Sequence, residues 1–251
     1  MTVPKSHPRY LSLTTRDRLV EGWEKGLVVT QGLIAHGRGE AFDYLLGEVT
    51  VDEARKAERA AACRLLLAQR PVISVNGNVG ALVPEEVSEL SGLLECPVEV
   101  NIFHRTEERV SRLAAVLREH GCHKVLGEEP DAKLEGLDHA RALCSSRGIF
   151  MADVVLVPLE DGDRCQALKA AGKDVITVDL NPLSRTSSTA DITIVDNLIR
   201  AMPNLISEVK ELREGLKAGS TSPEELKRTV GDFSNADNLK GVLRSISERF
   251  S

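Results

Sequence analysis

The chain has 251 residues, of which 42% are hydrophobic and 28% are charged, and its formal net charge at pH 7 is -6. These are the proportions of a soluble globular protein, and no run of about 18 apolar residues is present that would span a membrane. Because the N-terminus also lacks the apolar stretch of a secretory signal, we predict a cytoplasmic protein with no membrane partner.

Aromatic residues make up 3% of the chain, so we expect a core of Val, Ile, Leu and Ala, as in strands that helices cover on both faces. The five cysteines form no CxxC or Cys/His ligand pattern, which indicates ordinary reduced thiols. His139 and Cys144 lie close in sequence, but a nucleophile pair would need a third, orienting group. Buried cysteine is the preferred interpretation.

The first 40 residues contain six Lys or Arg against four Asp or Glu, so they carry about +2 while the remainder carries about -8. This excess is too small for a nucleic-acid-binding face, but it suits one or two phosphates of a small molecule. Lys5, His7 and Arg9 precede the first predicted helix. An exposed basic arm is the alternative interpretation of these three residues.

Two possible capping boxes, Thr14 with Asp17 and Thr50 with Glu53, predict helices over residues 15–25 and 51–68. Arg16 then lies in a first helical turn, where a cation costs about 0.3–1 kcal/mol unless an anion is near. A solvated surface arginine is the alternative.

Between these helices, glycines flank Arg38 in the sequence His36-Gly37-Arg38-Gly39. We interpret this segment as a loop, because glycines on both sides would let the backbone and the guanidinium approach one phosphate together.

From Pro71 onward, short apolar runs alternate with helix-length segments. The runs are PVISV, VEVNIF, KVLG, DVVLVPL, DVITVDL and DITIVD. This alternation predicts βαβ units and an α/β fold with a doubly wound, mostly parallel sheet of five or six strands. Polar or glycine-rich residues follow five of these strands, and ligands of open α/β sheets bind at the carboxyl ends of the strands. We therefore expect the active site at that edge.

We predict a single domain over residues 1–251, with a basic helical N-terminal segment (1–70), a parallel-sheet core (71–196) and a helical tail (197–251). The tail should contain a helix of about twenty residues after Asn197, a polar break at 219–223 and two short amphipathic segments. Its expected role is helical packing or an oligomer contact.

Nucleotide-binding fingerprints are mostly missing. No GxxxxGK[ST] string occurs, which excludes a P-loop NTPase. The segment Asn76-Gly77-Asn78-Val79-Gly80 follows a predicted strand but lacks the three-glycine spacing of a dinucleotide site. An NAD(P)-dependent oxidoreductase is therefore the weaker alternative, and a non-catalytic nucleotide or phosphometabolite sensor is a second one.

Longer segments carry a more specific signal. They are KSHPRY at Lys5, GLIAHGRGEAFDYLLGE at Gly32, VISVNGNVGALVPEE at Val72, NIFHRTEERV at Asn101, DVVLVPLEDGDR at Asp153, DLNPLSRT at Asp179 and ITIVDN at Ile192. In this order, from about Pro4 to Leu205, they closely resemble the archaeal-type 4-phosphopantoate–beta-alanine ligase family, also called phosphopantothenate synthetases.

The resemblance implies a Rossmann-like, homodimeric enzyme of coenzyme A biosynthesis. It would join 4-phosphopantoate to beta-alanine with ATP and accompanying Mg²⁺, through an acyl-adenylate, and would release AMP and diphosphate. By motif match it also implies ATP contacts from Arg16, Arg38, Asp179, Leu180, Asn181, Arg185, Thr186, Asn197 and Leu198.

Within that family expectation, Asp179 suits a ribose hydroxyl, Asn181 and the backbone at Leu180 suit adenine, and the arginines suit the triphosphate; a simple turn is the alternative for 179–182. The 4-phosphate would be held by Lys5, His7, Arg9 or Arg105. Asp161 and Asp163 would meet Mg²⁺ or the beta-alanine ammonium, or form a solvated turn. Arg38 and His36 are the catalytic candidates, with His36 orienting the attacking carboxylate or bonding the adjoining backbone.

Overall fold

A computed structural model describes residues 3–251. Its helices are α1 (Tyr10–Glu24), α2 (Thr30–Leu46), α3 (Asp52–Leu67), α4 (Gly77–Leu82), α5 (Pro84–Leu94), α6 (Glu107–Glu119), α7 (Gly162–Ala170), α8 (Arg185–Thr189), α9 (Leu198–Ala218), α10 (Pro223–Asp232) and α11 (Asn235–Glu248). Its strands are β1 (Pro71–Val75), β2 (Val98–Val100), β3 (Val125–Leu126), β4 (Ala132–Lys133), β5 (Leu143–Cys144), β6 (Val154–Leu156), β7 (Asp174–Val178) and β8 (Ile192–Ile194).

Six strands form one parallel sheet in the order β3-β2-β1-β6-β7-β8. The chain winds outward from β1 to β3 and then returns to the centre at β6, so the strand order reverses between β1 and β6. This is the doubly wound α/β arrangement that the alternating apolar runs predict, and it is confirmed. In such sheets the reversal point opens a crevice at the carboxyl ends of the strands.

Alternate residues of the central strands pack against different helical layers. Ile73 and Leu156 belong to the larger core, which α3, α5, α6 and α9 complete. Val72 and Val155 face a smaller core with α7 and the segment 146–150. Strands buried on both faces read as unbroken apolar runs, which is why the sequence shows them clearly. All five cysteines are free and buried, as predicted.

The predicted helix over residues 51–68 and the predicted helices of the tail agree closely with α3 and with α9 to α11, but the first helix begins earlier than predicted. α1 begins at Tyr10, and the hydroxyls of Thr14 and Thr15 donate to carbonyls one turn earlier instead of capping. Thr50 does not cap α3 either, since its hydroxyl donates to Asp196 Oδ2 at 2.6 Å. Both predicted capping boxes are therefore wrong, because Thr14 lies inside α1 and because Val51, not Thr50, is the cap residue of α3.

The predicted loop at 36–39 is also wrong. Gly37, Arg38 and Gly39 lie inside α2, whose left-handed cap is Gly47, with a φ of 94°. Glycine disfavours a helix by about 1 kcal/mol relative to alanine, but contacts that the sequence does not reveal hold this segment helical. Glu40 accepts hydrogen bonds from Arg16, and Asp43 pairs with Arg200 on α9.

A two-stranded antiparallel ribbon, β4 with β5, lies outside the main sheet and was not predicted. Each strand of the ribbon has two residues, which is too short to produce a recognisable alternating pattern. Among residues 3–251, no helix is both long enough and apolar enough to cross a membrane.

A buried carboxyl group lies between α3 and α9. Glu58 is 2% exposed, and its Oε1 accepts one hydrogen bond from Asn204 Nδ2 at 3.0 Å. Burial raises the pKa of Glu58 from 4.5 to about 7, although Asn204 opposes this shift. The folded protein therefore keeps a proton on Glu58 at pH values where the unfolded chain has released it.

Because the folded state binds this proton more tightly than the unfolded chain does, we predict that the free energy of unfolding falls by about 1–3 kcal/mol as the pH rises from 4.5 to about 7. Glu58→Gln keeps the acceptor for Asn204 and removes the titration, so the variant should exceed wild type in stability at pH 8, and the difference should shrink toward pH 5. Urea denaturation across this pH range measures both. A similar pH-dependent gain from Glu119→Gln, an exposed control, or no gain from Glu58→Gln, would contradict the assignment.

Candidate functional site

A cleft of about 620 Å³ opens at the carboxyl ends of β1, β2, β6 and β7, with α2 as its outer wall. It lies at the reversal point between β1 and β6, where ligands of doubly wound sheets bind. A second cavity, of about 450 Å³, lies at the opposite edge of the sheet, beside the amino ends of β1 and β2.

The turns after β1 and β6 are tied together at the centre of the cleft. Asn76 caps α4 and donates from Nδ2 to the carbonyls of Pro158 and Leu159, at 3.1 and 3.0 Å. Leu159 has a φ of 54°, a left-handed conformation that is uncommon for leucine. The side chain of Asn76 thus fixes the shape of the β6 exit.

Arg109 holds the exit of β2. From the first turn of α6 it donates to the carbonyls of Phe103 and His104, and also to Leu27 between α1 and α2 at 2.9 Å. His104 is left-handed as well, with a φ of 50°. Arg109 has no carboxylate partner among residues 3–251, so it adds uncompensated positive charge to the cleft.

Two buried arginines and two carboxylates form the floor. Arg141 donates from Nε to Asn101 Oδ1 at 3.1 Å, from Nη1 to Asp161 at 3.3 Å, and from Nη2 to Glu160. Arg164 is fully buried and also pairs with Glu160. Removing one member of such a network would leave a buried charge without its partner, at a cost of about 3–5 kcal/mol.

Asp161 is the half-buried acid of this floor. Its Oδ1 accepts the backbone N–H of Arg164 at 2.9 Å and thereby caps α7. Burial opposes ionisation of Asp161, yet its hydrogen bonds and the charges of Arg141 and Arg164 keep its pKa below the ordinary value. Asp161 therefore presents a negative charge to the cleft.

The turn after β7 forms the far end of the cleft. Asp179 accepts the backbone N–H of Asn181 at 2.9 Å and the hydroxyl of Ser184 at 2.5 Å. Asn181 Oδ1 accepts the backbone N–H of Leu183, which leaves the Asn181 amide nitrogen with no partner among residues 3–251. The turn interpretation and the ligand interpretation of this segment are therefore compatible.

α2 presents two of the predicted residues to the cleft. Arg38 is exposed and has no hydrogen-bond or ionic partner within residues 3–251. His36 is half-buried, and burial lowers its pKa below 6.5. The helix approaches α4 closely at Gly32, where a Cβ atom would lie 2.4 Å from Asn78 Oδ1. The missing side chain of Gly32 therefore permits this close approach, whereas a Cβ atom at Gly37 or Gly39 would meet nothing closer than 3.5 Å.

The structure brings seven predicted site residues together in the cleft lining and leaves the others outside it. Those in the lining are His36, Arg38, Asp161, Asp179, Leu180, Asn181 and Thr186. Those outside are Lys5, His7, Arg9, Arg16, Arg105, Asp163, Arg185, Asn197 and Leu198.

Several residues outside the lining have partners of their own. Arg9 and Arg16 both donate to the Tyr44 hydroxyl on the side of α2 that faces α1. Arg105 donates to the carbonyls of Gly127 and Glu128.

Two further residues outside the lining are also engaged. Arg185 pairs with Asp163 at 2.7 Å, with both side chains exposed. Asn197 caps α9 and donates to Asp43 at 3.0 Å.

Several residues of the lining were not among the predicted site residues, above all Asn76, Asn78, Arg109, Arg141 and Glu160. A usable signal existed for the two asparagines, which follow a predicted strand. Arg141 had no such signal, because it enters the site from an irregular segment.

The fold and the cleft together define a class: a doubly wound α/β protein whose ligand-sized cavity combines arginines that have no carboxylate partner within residues 3–251, Arg38 and Arg109, with the negatively charged Asp161. The chain matches the family described as phosphopantothenate/pantothenate synthetase over residues 53–249, and it belongs to that family. The resemblance found in the sequence segments is thereby confirmed.

Full-length relatives agree with this membership. A Thermococcus kodakarensis protein named 4-phosphopantoate–beta-alanine ligase is 51% identical over 252 residues, which cover 100% of this chain and 94% of the relative. A Methanosarcina mazei protein of the same name is 51% identical over 246 residues, which cover 98% of this chain and 94% of the relative.

We predict that Arg38→Lys lowers the affinity for ATP about tenfold or more. Lysine keeps the charge but loses the planar fork that binds phosphate through two parallel hydrogen bonds. Arg18→Lys is the matched control, since Arg18 lies on α1 and donates to the carbonyl of Leu82 at 3.1 Å, outside the cleft lining. Calorimetric titration of both folded variants measures the effect. Equal affinities in the two variants would remove Arg38 from the site.

Proposed function

We propose that this protein is an ATP-dependent ligase that joins 4-phosphopantoate to beta-alanine in coenzyme A biosynthesis and releases AMP and diphosphate. The main support for the proposal is the cleft with its unpaired Arg38. The chain is also 51% identical over its whole length to a protein named 4-phosphopantoate–beta-alanine ligase. The ligase is proposed to act as one domain over residues 1–251.

The first step activates a carboxylate. An oxygen of the 4-phosphopantoate carboxylate attacks the α-phosphorus of ATP, the bond to the bridging oxygen breaks, and diphosphate leaves. Negative charge grows on phosphate oxygens during this step, and preorganised cations stabilise it without reorganising. Arg38 and Arg109 supply such charge from two walls of the cleft, while Asn181 and the backbone at Leu180 position the adenine.

The second step forms the amide. The beta-alanine amine attacks the acyl carbonyl, the carbon–nitrogen bond forms, and AMP departs with the electrons of the carbon–oxygen bond. We assign the ammonium form of beta-alanine to Asp161, whose negative charge faces the cleft. Because the amine must lose protons to react, we assign His36, which burial keeps neutral at pH 7, as the acceptor.

Magnesium is proposed to enter with the triphosphate. Residues 3–251 contain no cluster of three His, Cys, Asp or Glu side chains that would hold a metal by themselves. With few protein ligands, the bound cation would keep most of its water and bind mainly phosphate oxygens, as Mg²⁺ does. Asp161 already accepts from Arg141 and from the Arg164 N–H, so its remaining capacity suits one ammonium hydrogen better than an octahedral cation.

A homodimer is part of the proposal. The basic residues Lys5, His7, Arg9 and Arg16 lie outside the cleft lining of their own chain. Their proposed phosphate contacts therefore require movement of the N-terminal arm or the cleft of a second subunit. The same applies to Arg105 and Arg185, whose side chains have other partners in this conformation.

The reaction type is tested by its products. We expect phosphopantothenate, AMP and diphosphate in equal amounts from ATP, Mg²⁺, 4-phosphopantoate and beta-alanine, with no AMP when either organic substrate is omitted. Mass spectrometry with a diphosphate assay measures all three. ADP with phosphate would replace the adenylate by an acyl-phosphate route, and nucleotide binding without turnover would indicate a sensor.

The proton acceptor is tested by pH. In the wild type, kcat/KM for beta-alanine should decrease at acidic pH, below about pH 6.5, because only neutral imidazole accepts a proton. We predict that His36→Asn abolishes this acidic decrease. The wild-type value should fall as the pH decreases through the lowered pKa of His36, and the variant should be slow without that decrease. His123→Asn, outside the cleft lining, is the control. An unchanged acidic decrease in His36→Asn would assign it to another group.

A further inference from the structure

α2, the wall that carries Arg38, has little intrinsic stability as a helix. Its 17 residues include three glycines, each of which costs about 1 kcal/mol relative to alanine. Its buried residues are Glu40, Asp43 and Leu46, so one leucine is its only fully buried apolar anchor. Polar contacts must therefore determine where this helix lies.

The strongest of these contacts joins α2 to the first turn of α9. Arg200 Nη2 donates to Asp43 Oδ1 at 2.5 Å, and Nε donates to Asp196 Oδ1 at 2.9 Å. Asn197 Nδ2 adds a third contact, to Asp43 Oδ2 at 3.0 Å. The side chains of Asp43, Asp196 and Arg200 are 2%, 0% and 13% exposed, so water screens these pairs very little.

Arg200 lies in the first turn of α9, and two aspartates compensate its charge there. A cation in the first turn of a helix opposes the helix dipole, which favours anions at that end. Two buried aspartates offset this cost for Arg200, one from the β8 exit and one from α2. Asp196 is held in turn by the Thr50 hydroxyl at 2.6 Å, just ahead of α3. The Asp43–Arg200 pair therefore connects a weak helix to the rigid edge of the sheet.

This connection continues along the wall of the cleft. Gly32, His36, Gly39 and Asp43 follow one another at spacings of three and four, so they form one row on the helix surface. At Gly39 the row contacts Leu180, in the turn after β7. A Cβ atom added to Gly39 would lie 3.5 Å from the Leu180 Cβ. A shift of α2 at Asp43 would therefore change the distance between Arg38 and the turn after β7.

We propose that Asp43 and Arg200 are positioning residues for nucleotide binding: their buried ion pair holds α2 at the distance from the sheet that lets Arg38 reach the phosphates. The inference rests on the proposed function of the cleft as the ATP site. Neither residue lines the cleft, so they act through α2 and not by touching the ligand.

The test is a double-mutant cycle in ATP affinity, measured by calorimetry with Mg²⁺ on the full chain. Asp43→Asn should weaken ATP binding about three- to tenfold when Arg38 is present and less than about twofold in the Arg38→Ala background. Residues coupled through a shared backbone shift give such non-additive effects, whereas independent sites give additive ones. Arg200→Lys repeats the cycle with the charge retained, in case Asp43→Asn does not fold.

Arg59→Met is the control. Arg59 of α3 pairs at 2.7 Å with Glu208, which lies on α9 as Arg200 does. This pair is partly exposed and lies outside the cleft lining, so its loss should leave ATP affinity and the Arg38 effect unchanged. Additive losses in the cycle, or unchanged ATP affinity in Arg38→Ala, would overturn the inference. A failure of the ligase proposal is separate, because it would appear as missing phosphopantothenate in the wild type while the affinity cycle still gives its answer.

Discussion

Pro71 lies opposite Val154 and Ile73 opposite Leu156 where β1 pairs in parallel with β6. This pairing makes the chain leave both strands at the same edge and in diverging directions, which opens the central crevice. Asn76 then bridges the two exits, and Asp161 follows β6 closely enough to cap α7 and face the cavity. The position of the cleft, its floor and its ionised carboxylate all depend on this one strand pair.

The cleft combines two sets of arginines: buried arginines with carboxylate partners, which have a structural role, and an exposed arginine available for a ligand. Arg141 and Arg164 are buried and both pair with Glu160, and Arg141 also contacts Asp161 at 3.3 Å, so these residues hold the floor in shape. Arg38 has no partner among residues 3–251 and is therefore free for an anion. Since preorganised charge stabilises a transition state only if it is held in place, the rigid floor and the free arginine are complementary.

The strands and the tail helices could be predicted because they depend on local pattern: Val72 to Val75 is apolar at every position except Ser74, and α9 begins directly after Asn197 as expected. α2 could not be predicted, since its glycines oppose a helix and its anchors, Arg16 and Arg200, are distant in sequence. The same reason explains the missed Arg141. Its contacts to Asn101 and Asp161 exist only after the chain has folded.

Hydrogen exchange with mass spectrometry, with and without ATP and Mg²⁺, tests the central claim that the nucleotide binds between α2 and the carboxyl ends of the strands. We expect slower exchange in residues 30–46, which form the outer wall, and in residues 179–189, which form the turn after β7 and α8. Residues 65–72 and 93–97, beside the cavity at the amino ends of the strands, should be unaffected. Protection confined to those two segments would contradict ATP binding at the carboxyl ends of the strands, because it would place ATP at the other edge of the sheet.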